Sequence, residues 1–376
     1  MKINEIRLYH LAAVLPEPIG NALVSFPKRE TLLVEVVAGD LKGWGEAWLS
    51  PQTAAAVIEF QLAKHILGKD PTHVLSLWHD MCRTVEGETA AAGISALDMA
   101  LHDLAARAHG IPLSTLLGGA KRSKVRAYAS GPFFKPGGHP YRDFEREIDG
   151  YLAEGFRAVK LRSGFNIDDD AVAVLAARRQ IGSDCDLMVD FNQSCSARRA
   201  IATAALMDEA NLLWIEEPTK PGDIAGYRLA ANHIDVSIAG GETFTKASTF
   251  LPLLQDGCID ILQPDIAICG GLTGVSRVSM LADIYDRPLI PHVWGSAVNF
   301  HAALHLVSTL PEHRGGGRGA FPYLEFDVGP NPLLDLAGRP QLDVSGAVHL
   351  PDGPGLGIEI NGEELERYIV ECRRVA

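Results

Sequence analysis

Six residues able to bind a metal or move a proton close short apolar runs along this chain. They are Asp190, Glu216, Glu242, Asp265, His292 and Glu325, and successive members lie about 23 to 33 residues apart, the length of one strand–helix unit. In a βα barrel the C-terminal ends of the parallel strands open into one mouth, so residues this far apart in sequence meet there. Asp190, Glu216 and Glu242 then form a hard-cation site suited to Mg²⁺, which takes oxygen ligands and leaves positions for substrate and water. Any one acid at a strand end could simply cap the next helix; three on successive units, in Val-Asp-Phe-Asn-Gln, Trp-Ile-Glu-Glu-Pro and Ala-Gly-Gly-Glu-Thr, point to a site.

The other chemistry-bearing residues fit the same mouth. A neutral imidazole accepts a proton near physiological pH, and a carboxylate behind it fixes the tautomer, so Asp265 and His292 read as an acid/base pair. Lys160 and Arg162 stand two apart on one strand and face the same side. Two inward cations require an anion, either the metal-binding acids or something else anionic; Lys160 can hold a substrate carboxylate or act as a base. Glu325, kept protonated, could donate to an enediolate oxygen; a rim ion pair is its alternative. Asn192 and Gln193 are candidate polar liners, and Glu217 is expected to point away from the metal.

These residues need a scaffold. The chain has 376 residues, 47% of them apolar, which suits a barrel of roughly 250 residues plus a smaller domain. Ile3–Tyr9 and Thr31–Val37 alternate as strands, Gly39-Asp40 turns a hairpin, and a helix is expected from Ala90 to His109. From Val125 the pattern becomes strand–helix: Val125–Tyr128, a helix over Tyr141–Glu154 stopped by Gly155, a strand over Ala158–Arg162, and a helix over Asp168–Ile181. The expected division is an α+β domain over 1–123, a barrel over 124–344, and a tail, 345–376, packing back on the first domain. Gly315-Gly-Gly317 and its flanking arginines read as a mobile surface loop.

Composition excludes several classes. The net charge is −13 with no basic stripe, against a nucleic-acid partner. No run reaches the ~20 apolar residues of a membrane span, and the first residues alternate like a strand, without a signal-peptide core. Six cysteines (82, 185, 195, 258, 269 and 372) form no Cys-x-x-Cys pair, which suits free thiols in a reducing, cytoplasmic setting. Cys195, just past Asp190, could approach the mouth.

Taken together these motifs resemble the enolase superfamily, mandelate racemase-like subgroup. The resemblance runs over nearly the whole chain and includes Gly43-Trp-Gly-Glu46, the Ile94-Ser-Ala-Leu-Asp-Met-Ala-Leu helix and Leu116-Leu-Gly-Gly119. Val293-Trp-Gly-Ser296, Glu325-Phe-Asp327 and Pro351-Asp-Gly-Pro-Gly-Leu-Gly-Ile-Glu-Ile-Asn361 are more narrowly similar to the D-galactarolactone cycloisomerase branch. The resemblance implies an α/β fold, a modified TIM barrel (β/α)₇β under an N-terminal α+β capping domain completed by the C-terminal tail. It also implies one Mg²⁺ on Asp190, Glu216 and Glu242, a His292–Asp265 dyad and Glu325 as electrophile. The implied substrate is a small carboxylate, an aldonate, aldarate or their lactone, and the implied assembly a homo-oligomer between dimer and octamer. Capping-domain loops near Pro16–Glu30 and Trp48–Thr53 would close over the mouth, making Phe26, Lys28, Arg29 and Trp48 candidate substrate contacts.

One departure bears on the reaction. The family's second barrel strand usually ends Lys-x-Lys, and the second Lys is a base; here it reads Lys160-Leu-Arg162. Arginine stays protonated and is a poor base. The expectation is therefore a one-base enzyme: His292 takes the α-proton, and a β-hydroxyl departs (acid-sugar dehydratase) or a lactone acyloxy group departs (cycloisomerase). A two-base racemase or epimerase is disfavoured by Arg162, and an inactive binding barrel by the intact metal and dyad positions.

Overall fold

The computed structural model describes residues 1–84, 90–313 and 322–376. The Gly315–Gly317 segment lies outside the described residues. Two sheets organise the molecule. The first is antiparallel, in the order β12-β1-β2-β3, where β1 is Glu5–Gly20, β2 Ser25–Ala38, β3 Leu41–Ala47 and β12 Ile369–Val375. The hairpin turn falls at Gly39-Asp40, with Ala38 paired to Leu41.

The segment Pro16–Glu30 departs from the expected loop. β1 and β2 continue through it as a long ribbon that pairs Val14 with Lys28 and Ile19 with Phe26. The register shifts between Val14 and Ile19, where Pro16 and Pro18 sit. Prolines that cannot donate to the ladder disguise this strand in the sequence, and the irregularity absorbs them.

The second sheet is parallel and curled: β4 (Lys124–Ser130), β5 (Ala158–Arg162), β6 (Asp186–Asp190), β7 (Ile215–Glu216), β8 (Ile238–Gly240) and β9 (Ile261–Leu262), with β10 (Leu324–Asp327) on the far side of β4. Segment 288–292 supplies the stave between β9 and β10. It is held by Ile290 N–H to the Leu262 carbonyl (3.0 Å) and by bridges Leu262–Leu289 and Asp265–His292, not by a regular ladder. Pro288 and Pro291 remove two of its donors. Helices Phe144–Glu154, Ile167–Ile181, Ala197–Leu206, Ile224–Ala231, Leu251–Gln255, Gly271–Ile284 and Ala297–Thr309 alternate with the staves, which is the (β/α)₇β pattern.

One residue from each stave closes the barrel interior. Tyr128, Ala158, Met188, Trp214, Ala239, Ile261, Ile290 and Tyr323 form one fully buried cluster. Side chains along a strand alternate, so the residue two positions on faces the same interior one layer higher. That rule places Ser130, Lys160, Asp190, Glu216, Gln263, His292 and Glu325 directly above the plug.

The tail joins both sheets. β11 (Ala347–His349) runs antiparallel to β4, and β12 pairs with β1 from Leu11–Ile369 to Ile6–Val375. The helix Ala91–Ala108 packs across β3. A Cβ on Gly45 would lie 1.8 Å from the Ala96 carbonyl oxygen, and one on Gly43 would lie 2.2 Å from that of Ala100. Only glycine allows helix and strand to approach this closely.

Gly45→Ala should therefore lower the melting temperature by the equivalent of about 1–3 kcal/mol of overpacking, because a backbone carbonyl cannot move aside as a side chain can. Gly222→Ala, where a Cβ meets open space, should leave it unchanged. Equal melting of the two variants would show that the contact does not set the spacing.

Candidate active site

Asp190 and Glu216 end their strands fully buried. Glu242, on the turn after β8, is partly buried, and one oxygen from each of the three acids lies within 4.8 Å of the others. Burial and mutual repulsion push all three carboxyls above their ordinary range, opposed mainly by Arg162 and Lys160 at Asp190, Lys160 at Glu216 and His292 at Glu242. A hard, all-oxygen donor set whose members repel one another is what a divalent cation such as Mg²⁺ relieves, so the residues present fit that ion. Glu217 is outside this group, although buried: Gln193 Nε2 donates to its Oε1 at 2.8 Å.

Lys160 is fully buried beneath the acids, with its ammonium 2.5 Å from Glu216 Oε1, 2.8 Å from Glu325 Oε1 and 3.9 Å from Asp190 Oδ2. Burial disfavours its charge, but Glu216, Glu325 and Asp190 outweigh burial and hold it more firmly protonated than a free lysine. Arg162 donates to Asp190 Oδ2 through one nitrogen and to Ser130 Oγ at 3.0 Å through the other.

His292 uses Nδ1 on Asp265 Oδ2 at 2.7 Å and turns Nε2 toward the acids, 3.6 Å from Glu242 Oε2. Burial pushes the imidazole down, yet Glu242, Glu325 and Asp265 outweigh it and lift the group to about 10. With Glu242 committed to a cation, the largest of those raising influences would be removed.

Glu325 differs from its expected role as a protonated donor. It accepts from Ser130 Oγ (2.7 Å), Val293 N–H (2.8 Å) and Lys160. Burial alone would raise it, but Lys160, His292 and Arg162 reverse the sign and hold it at about 2. Ringed by donors, it accepts on both oxygens.

The remaining candidates divide. Asn192 meets the cluster, donating Nδ2 and its backbone N–H to Asp190 at 2.8 and 2.7 Å, while its buried Oδ1 has no partner among the described residues. Trp48 reaches in from the end of β3: its indole Nε1 donates to Asp265 Oδ2 at 2.8 Å, and its ring lies 5.9 Å from that of His292. Phe26 packs at a tilt against Trp294, with ring centroids 5.4 Å apart. Lys28 is not brought to the cluster; it is exposed on the hairpin and pairs with Glu30 at 2.9 Å. Arg29 is buried across the Trp294 ring (3.9 Å) and tied to Asp327. Cys195 is buried beside Ser194 and does not join the cluster.

Several neighbours escaped the sequence reading. Ser130 and Gln263 occupy the layer two residues above the plug, and Gln263 Nε2 donates to Glu216 Oε2 at 2.7 Å; the period of two could have found both. Trp48, Trp294 and Phe133 form an aromatic arc (6.4 and 5.9 Å between rings) from the His292 side to Arg162, whose guanidinium lies 5.0 Å from the Phe133 ring. Glu46, which the Gly43-Trp-Gly-Glu46 motif contains without assigning it a role, and Asn299, which no local pattern marks, stand behind the dyad.

This assembly defines a class, the capped (β/α)₇β-barrel enzymes that gather strand-tip acids beside a histidine–aspartate pair. Residues 5–118 match the mandelate racemase / muconate lactonizing enzyme N-terminal domain, and residues 143–365 match the enolase C-terminal domain-like family. The chain belongs to this family of the enolase superfamily, and it is an enzyme. It is 33% identical to D-galactarolactone cycloisomerase of Agrobacterium fabrum, over 98% of this chain and 99% of that one. It is 31% identical to D-gluconate dehydratase of Thermoproteus tenax, over 91% of this chain and 70% of that one. Among solved structures, a racemase from Streptomyces coelicolor A3(2) with bound magnesium superposes with a TM-score of 0.86 at 27% identity, covering 98% of this chain and 100% of that one. Among the described residues no helix is long and apolar enough to cross a membrane.

Addition of Mg²⁺ should raise the melting temperature, by the equivalent of about 2.7 kcal/mol at a hundred times the dissociation constant. Glu242→Gln should abolish that shift while leaving the melting temperature in EDTA near wild type. An undiminished shift in the variant would remove Glu242 from the metal site.

Proposed function

We propose that the enzyme removes the proton α to the carboxylate of a sugar acid with His292 and then expels a β-substituent. The observation that carries this reading is the orientation of His292: one ring nitrogen is held by Asp265, and the other lies 3.6 Å from Glu242, one of the three clustered acids. Asp190, Glu216 and Glu242 would hold Mg²⁺. When bound, that ion would supply Lewis-acid stabilisation of the negative charge developing on the substrate carboxylate.

The residues around it divide the remaining work. Asp265 fixes the tautomer that leaves Nε2 free to accept. Lys160 and Arg162, both held protonated, contribute positive potential near the developing enediolate. His292 takes the α-proton; the enediolate electrons form the Cα–Cβ double bond as the β C–O bond breaks. The departing oxygen recovers the proton, and the enol relaxes to a 2-keto acid. Because no base stands opposite His292 among these groups, elimination is favoured over inversion. The six free thiols support a cytoplasmic setting.

Loss of a β-hydroxyl as water makes the enzyme an acid-sugar dehydratase. The aromatic arc favours a second reading, in which the departing oxygen belongs to a lactone ring and the product is an isomer. An arc of indole and phenyl surface offers a flat apolar wall to the carbon face of a ring and few partners to a chain of hydroxyls. Both outcomes share the first step.

The test is incubation with Mg²⁺ and a panel of aldonates, aldarates and their lactones in deuterated water. Keto-acid formation with loss of water identifies a dehydratase, and ring opening without it a cycloisomerase. His292→Asn should lower turnover at least ~100-fold. Deuterium uptake with inversion, or near-normal turnover in that variant, would overturn the one-base reading.

A further inference from the structure

The dyad carboxylate is held in part from outside the barrel. Asp265 is fully buried and accepts four hydrogen bonds. Oδ2 takes His292 Nδ1 at 2.7 Å and Trp48 Nε1 at 2.8 Å; Oδ1 takes Ala267 N–H at 2.7 Å and Asn299 Nδ2 at 3.2 Å. Trp48 belongs to the capping sheet's end of the chain, 217 residues away in sequence. Its N–H is committed to the dyad, so it is not available to a substrate hydroxyl.

A second route leaves the same strand end. Glu46 is fully buried, and all of its partners donate: Thr31 Oγ1 and Ser296 N–H on Oε1, each at 2.7 Å, and Ser296 Oγ (2.7 Å) and Asn299 N–H (2.9 Å) on Oε2. Its carboxylate thus fixes the first turn of the helix Ala297–Thr309, whose Asn299 turns its amide to Asp265. Packing there is tight: a Cβ on Gly295 would lie 2.3 Å from Glu46 Oε1. A burial this complete, with four donors and no cation, is costly unless every donor is needed where it is.

We propose that Glu46-Ala47-Trp48, at the end of β3, is the positioning element of the dyad: Trp48 directly, and Glu46 through Asn299, hold Asp265 so that His292 aims at the α-proton. The capping domain thereby completes the base as well as covering the mouth. This rests on the proposed role of the dyad, and the two can be tested apart.

Trp48→Phe keeps an aromatic wall and removes the donor; Asn299→Ala keeps the backbone N–H to Glu46 and removes the amide. With a lactone or aldonate from the panel as substrate, each variant should lower kcat about tenfold with KM within about twofold. α-Deuterium wash-in should fall in parallel, and the Mg²⁺-induced rise in melting temperature should be retained. In the ¹⁵N-labelled protein, the indole N–H resonance that Trp48→Phe removes should also move when Asp265 becomes Asn, a readout independent of substrate. An unchanged kcat, an effect confined to KM, or an indole resonance indifferent to Asp265→Asn would overturn the positioning role and leave Trp48 as a wall of the pocket. If Trp48→Phe does not fold, Asn299→Ala decides by the same kinetic criteria. Full activity in His292→Asn would instead sink the dyad reading itself, whatever the Trp48 variant does.

Discussion

A single ammonium holds the mouth together. Lys160 is sealed from solvent, and taking such a charge out of water costs several kcal/mol unless it is paired well. It is paired with Glu216 and Glu325, from staves on opposite flanks of its own, and lies near Asp190 beside it. Remove that charge and three buried acids would face one another without compensation. Arg162 extends the same arrangement one layer up, neutralising Asp190 and gripping Ser130. The cost of gathering so many carboxylates is thus met locally, within a closed barrel.

That arrangement supports the electrostatic roles proposed for Lys160 and Arg162. A base must lose its proton near neutral pH. The acids around Lys160 hold its proton on, and arginine does not release one. His292 responds to the charge on Glu242, because Glu242 is the strongest of the influences lifting it. The acidic cluster therefore sets the state of the histidine as well as the seat of the ion.

Much of the site was legible because a barrel strand repeats every two residues. The plug residues Tyr128, Met188, Trp214, Ile290 and Tyr323 are large or apolar, and the polar residue two beyond each is a site residue. Glu242 breaks the rule by one position, since the left-handed Gly241 intervenes after β8. The same local reading failed where contacts are set by distant chain. Prolines hid the ribbon formed by β1 and β2 and left the stave 288–292 without a ladder. Lys28 looked like a mouth residue, but alternation along β2 turns it toward Glu30. Nothing near Glu46, Trp48 or Asn299 in sequence announces Asp265, because their meeting depends on how the capping sheet seats on the barrel.

The pairing of β12 with β1 carries a kinetic implication. Their partners, such as Ile6 and Val375, stand at opposite ends of the sequence, so the sheet that ends in Trp48 gains its outer strand only after the intervening polypeptide has brought those ends together. Contacts of such long range form late, since the entropy of closing the intervening loop must be overcome first. A barrel that has collapsed ahead of its cap would hold the strand-tip acids but lack the indole that orients Asp265, so catalytic competence would lag behind compaction.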